Sequence, residues 1–120
     1  MIKIVGYWTA PPDTADVARF EDDYMNRHVP IAARLPGLRR LTTLRVEDGY
    51  MGGDVQHYRI VEAWFDDKEA LEAALRTAEF KAMRADRQRL IDTYGVMNSA
   101  EIGEEIEAVL PEAYTGGPFR

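Results

Sequence analysis

Ile2-Lys3-Ile4-Val5-Gly6-Tyr7-Trp8 is rich in β-branched and aromatic side chains and stops at Ala10-Pro11-Pro12, which predicts a strand. The period then changes. Behind Asp13 and Asp16, Val17, Phe20, Tyr24, His28, Ile31 and Leu35 recur at spacings of three and four, one apolar face of a helix. Pro30 interrupts it, because proline lacks an N–H donor and biases the residue before it toward extended backbone. The pattern predicts a helix over 14–27, a kink at His28-Val29 and a short helix over 30–35.

Pro36-Gly37 ends that helix, and residues 38–47 are predicted as a second strand. Residues 48–54, with Gly49, Gly52 and Gly53, form a long hairpin loop. Residues 57–65 predict a third strand, with Tyr58, Ile60, Glu62 and Trp64 on one face and His57, Arg59, Val61, Ala63 and Phe65 on the other. Asp66 and Glu69 resemble a capping box. The helix that follows is interrupted near Thr77, resumes through Phe80, Met83, Leu90, Ile91 and Tyr94, and stops at Gly95. A last strand falls within 96–110 and is expected at 104–110.

The order β-α-β-β-α-β is the split βαβ, or ferredoxin-like, α+β arrangement, with both helices on one face of a four-stranded antiparallel sheet. The first and third strands are apolar on both sides, so the second face is expected to be covered too. A second copy of the chain is the simplest cover, and a homodimer is expected. Residues 1–111 form the single domain, and the Gly116-Gly117-Pro118 segment marks 112–120 as a tail expected to be flexible or to reach onto the partner.

Composition narrows the classes. The 120 residues carry 15 Lys and Arg against 21 Asp and Glu, net −6, which argues against a nucleic-acid partner. The imbalance sits in residues 61–120, with seven basic and thirteen acidic side chains. Zero cysteines exclude disulfides, thiolate metal sites and a cysteine nucleophile. No apolar run spans a bilayer and residues 1–12 do not resemble an export signal, so no membrane partner and a cytoplasmic location are expected. Two distant histidines offer no metal-ligand spacing, the glycines lack a phosphate-loop context, and a single serine, Ser99, disfavours a Ser-His-Asp hydrolase.

His28 stands on the apolar stripe where an aliphatic side chain would pack better, just before Pro30. Either it is a packed histidine bonded to carbonyls that the proline leaves open, or those carbonyls hold one ring nitrogen and free the other as a base. Glu62 is the single charge between Ile60 and Trp64 on its strand face. It is either ion-paired, with Arg40 or Arg45, or a carboxylate sharing acid–base work. His57 begins the third strand as an exposed strand-end residue or a second acid–base group. Tyr7, Trp8, Tyr24, Tyr58 and Trp64 supply aromatic surface with polar tips, as core, as interface, or as the walls of a site for a flat small-molecule ligand.

Phe20-x-x-x-Tyr24-x-x-x-His28-x-Pro30, followed by Leu35-Pro36-Gly37-Leu38-Arg39 and by Glu62-Ala63-Trp64-Phe65-Asp66-Asp67-x-Glu69-Ala70-Leu71, resembles the EthD family over about residues 2–110. The resemblance implies a dimeric α+β barrel, two ferredoxin-like subunits packed sheet to sheet, each with a pocket between sheet and helices. It also implies a histidine at this motif position that performs proton transfer. The expected activity is that of a small cofactor-independent lyase, isomerase or cyclase acting on an oxygenated aromatic, polyketide-like or lactone acid. His28 would move the proton, and Tyr24 or Glu62 would polarise or orient the substrate. The alternatives are a non-catalytic accessory or binding protein of a degradative oxygenase pathway, or a monooxygenase, cofactor-free or haem-dependent through His28.

Overall fold

The computed structural model describes residues 1–111; the predicted tail at 112–120 lies outside the described residues. Strand β1 (Ile2–Trp8) leads into helix α1 (Val17–Asp23), a π-helical turn (Tyr24–His28) and a short helix α2 (Val29–Ala32). Strands β2 (Arg40–Arg45) and β3 (Arg59–Phe65) follow, then α3 (Lys68–Ala74), α4 (Ala78–Tyr94) and β4 (Asn98–Glu104). The sheet order is β2-β3-β1-β4, every pair antiparallel. This is the predicted ferredoxin-like α+β arrangement.

Four local expectations are corrected. Val29 is not extended: its φ of −58° and ψ of −45° are helical, and its N–H bonds to the Tyr24 carbonyl, five residues back. The missing donor of Pro30 is thus absorbed by one wider turn that keeps the helix running, where a kink was predicted. The cap of α3 is Asp67, which accepts from the Ala70 N–H, while Asp66 pairs with Arg39. The last strand begins at Asn98, not 104. Gly95, left-handed at φ 70°, closes α4 and turns the chain directly back along β1. Finally, Tyr58 precedes β3 and breaks its alternation: its ring packs 6.1 Å from Phe20, on the helix side, instead of facing away with Ile60.

Two apolar clusters lie between sheet and helices. Trp8, Phe20, Tyr24, Leu90, Tyr94 and Val96 form one; Leu35, Ala63, Phe65, Leu71 and Ala74 form the other. The opposite sheet face carries Val5, Tyr7, Leu44, Ile60, Glu62 and Trp64, set there by the register. Trp64 is nevertheless buried, flanked by the cations of Lys3 and Arg40 and donating to Glu105.

Candidate active site: a histidine–aspartate pair on an apolar cavity

Between the two clusters a cavity of about 330 Å³ opens among β1, β3, β4, the π turn and α4. His28, Tyr24 and Trp8 stand on its wall, with Val61, Phe80 and Met83 among the apolar residues around them. The π turn places Tyr24 and His28 on the same side, their rings stacked with centroids 5.8 Å apart. Trp8 meets His28 edge-on at 5.3 Å and Tyr24 at 5.8 Å, so the imidazole is held between two aromatic walls.

His28 is 6% exposed. Its Nδ1 lies 2.9 Å from Asp86 Oδ2 on α4, so the expected anchoring to backbone carbonyls is replaced by a carboxylate. With that ion as partner, Nδ1 carries the proton and Nε2 is the free base. Nε2 has no hydrogen-bond partner among the described residues and is not sealed in, since no buried side-chain nitrogen or oxygen there is unpartnered.

Asp86 is itself 6% exposed and fixed from several directions. Arg89 Nε donates to its Oδ1 at 2.8 Å, and Arg27 lies 3.5 Å from the same oxygen. The Arg89 fork then grips Asp23 with two bonds of 2.7 Å, and Asp23 also accepts from Tyr94. Burial alone would raise the Asp86 pKa, but the bonds from Arg89 and His28 outweigh it and hold the carboxyl below its ordinary range. For His28 burial dominates and lowers the pKa below 6.5, with the Asp86 bond opposing it. The pair is therefore neutral imidazole and ionised carboxylate at neutral pH.

Tyr24 bonds through its hydroxyl to Thr43 Oγ1 at 3.1 Å, and burial raises its pKa. Arg59, buried against Glu21, approaches the same Thr43 oxygen at 3.5 Å and lies 5.4 Å from the Tyr24 ring centre. When Thr43 accepts from Arg59 and donates to Tyr24, the phenol proton has no acceptor among the described residues.

The other predicted residues are elsewhere. Glu62 lies on the opposite sheet face, paired with Lys3 Nζ at 2.9 Å rather than with Arg40 or Arg45, so in the single chain it does not share acid–base work with His28. Tyr7 and Trp64 share that face, and the His57 ring packs at a tilt against Tyr7, centroids 4.6 Å apart. Tyr58 donates to Glu21 in the α1 contact. Thus Trp8, Tyr24 and His28 meet on one cavity, while Tyr7, His57, Glu62 and Trp64 stand across the sheet. Among the described residues no three His, Asp or Glu side chains converge on a possible metal position.

Asp86 escaped the reading of the sequence. It stands three after Met83, four before Leu90 and eight before Tyr94, a carboxylate on an apolar stripe. That is the signal that singled out His28.

A family model of the EthD domain matches residues 12–94. An ethyl tert-butyl ether d (EthD) family protein from Bacillus halodurans c-125 is 32% identical, with a TM-score of 0.74 over 88% of this chain and 99% of that one. HapK from Hahella chejuensis is similar at 17% identity and TM-score 0.63, over 92% of this chain and 98% of its own. SnoaB, a cofactor-independent oxygenase from Streptomyces nogalater, is 24% identical at TM-score 0.57, over 92% and 97%. No curated protein matches the chain. The last two likenesses are of fold; the family match spans the histidine, its aspartate and helices α1 to α4, and the chain is a member of the EthD family.

Proposed function

We propose that the protein is a small cofactor-independent enzyme that moves a proton on a flat, oxygenated organic substrate, with His28 as the base. The observation that carries this reading is a neutral imidazole whose Nδ1 is held by Asp86 while Nε2 is left for a ligand in an apolar cavity. Nε2 takes the proton from a carbon beside a carbonyl, and the C–H electron pair passes to the carbonyl oxygen as an enolate. The Tyr24 hydroxyl donates to that oxygen. The Asp86 carboxylate stabilises the imidazolium while it lasts. Return of the proton to a different carbon gives an isomerisation or sets up ring closure, with no net gain or loss of protons. The same enolate could instead meet dioxygen, so a cofactor-free oxygenase begins with this step too; the description of SnoaB as a cofactor-independent oxygenase supports that branch.

The subunit works as a homodimer in this reading, joined by the sheet face opposite the cavity. The test is exchange of substrate C–H for C–D in heavy water over a set of aryl ketones and hydroxylated naphthalenes. An oxygen electrode in the same reactions separates the two branches, and a Soret band in the purified protein would replace the cofactor-free reading by a haem-dependent one.

A further inference from the structure

The cavity is at odds with the charge of its protein. The chain is net −6, yet the residues lining the cavity include two arginines, Arg84 and Arg87, and no carboxylate. Both lie on α4, where Phe80, Met83, Arg84 and Arg87 recur at intervals of three and four and form one wall. Five arginines outside the cavity have carboxylate partners: Arg27 and Arg89 at Asp86, Arg39 at Asp66, Arg45 at Glu47 and Arg59 at Glu21. Arg19, Arg34, Arg40 and Arg76 have none among the described residues but do not line the cavity. Arg84 has none among the described residues, and its guanidinium lies 5.9 Å from the Phe80 ring centre. Arg87 is aimed rather than neutralised. Its Nε donates to Asn98 Oδ1 at 2.5 Å and its Nη2 to the Asn98 carbonyl at 3.1 Å, which fixes the fork and leaves Nη1 without a partner among the described residues.

We infer that the ligand is an anion whose charged end is held by Arg84 and Arg87 on the α4–β4 wall. A carboxylate suits them, because guanidinium forks bind planar carboxylates with parallel bonds. The physical need is clear. A charged group entering an apolar cavity loses its hydration, and an opposite charge waiting on the wall offsets that loss. The two cations also draw anions toward the mouth of an otherwise acidic protein. The binding claim stands on its own; the statement that the anion's far end faces His28 rests on the proton-transfer reading.

The test is calorimetric titration with a naphthalene carboxylate and its neutral carboxamide, which share one ring and differ in charge. Wild type is expected to bind the carboxylate at least about tenfold more tightly, a preference that shrinks as salt is added. Arg84→Gln, at an exposed position, is expected to fold normally and lose most of the preference, and Arg84→Lys to recover part of it. Equal binding of both compounds, an undiminished preference in Arg84→Gln, or binding of neither at millimolar concentration would overturn the inference. If proton exchange depends on His28 but no charge preference exists, this inference alone fails. If the preference exists but exchange does not depend on His28, the proton-transfer reading alone fails.

Discussion

Asp86 Oδ2 lies 2.9 Å from His28 Nδ1, joining residues 58 positions apart across the packing of the π turn against α4. The contact orients the imidazole and, by its charge, opposes the lowering of the histidine pKa by burial. Asp86→Asn keeps the shape and removes the charge. The histidine pKa is then expected to fall further and turnover to drop by roughly 10²–10⁴, since the ring loses both its preferred tautomer and the partner of its cationic form. Nitrogen chemical shifts of the His28 ring, followed against pH, report the pKa; an unchanged titration would show that Asp86 does not act through the ring.

His28 also makes stability depend on pH. Its folded pKa is lowered, so the unfolded chain binds the proton more readily than the folded one. Its contribution is complete above about pH 6.5, the ordinary histidine value, and is lost as pH falls through the folded pKa. Asp23 and Asp86, also lowered, contribute above pH 3.8 and lose their share below it. Melting temperature should therefore decline in two stages on acidification, and His28→Asn should lack the first. Parallel curves for the two proteins between pH 7 and about pH 5 would contradict this.

Gly6 keeps the cavity open. A Cβ there would stand 2.7 Å from Val61 Cγ1, and both residues line the site. Val61 is β-branched and rotates poorly, so Gly6→Ala should cost about 1–3 kcal/mol and weaken binding of the naphthalene carboxylate. Binding as tight as wild type would mean that this wall does not border the ligand.

The sheet face across from the cavity presents Val5, Tyr7, Ile60 and Leu44, the last 58% exposed. Sedimentation at micromolar concentration is expected to give twice the 13.7 kDa of one chain, and Ile60→Glu to shift the protein toward that single mass. A wild-type protein sedimenting as one chain would remove this face as an interface.

The fold was legible because its pieces are locally consistent: a β-branched and aromatic β1, a helical stripe from Val17 to Leu35, and Gly95 as a stop. β4 was misplaced because Asn98–Glu104 has little strand propensity and is held by pairing with β1, which no local pattern reports. Half of the site was legible for a similar reason. His28 and Tyr24 share a helix and betray themselves by position, whereas which strand face meets the helices is a tertiary fact. Glu62 therefore looked like a neighbour of His28, and its diagonal cross-strand partner Lys3 was passed over for nearer arginines in the chain.

Replacing His28 separates catalysis from folding. His28→Asn retains a hydrogen-bonding group opposite Asp86 but cannot take up a proton, while His28→Ala loses both and should cost roughly 1–2 kcal/mol more. The decisive measurement is the rate of C–H to C–D exchange in heavy water, by wild type and His28→Asn at equal folded concentration, over the aryl ketones and hydroxylated naphthalenes. Wild type should exchange at least one of them, and His28→Asn should be slower by roughly 10²–10⁴ with its fold intact. Exchange at the wild-type rate in the asparagine variant, or none by wild type on any of the compounds, would contradict the assignment of His28 as the base.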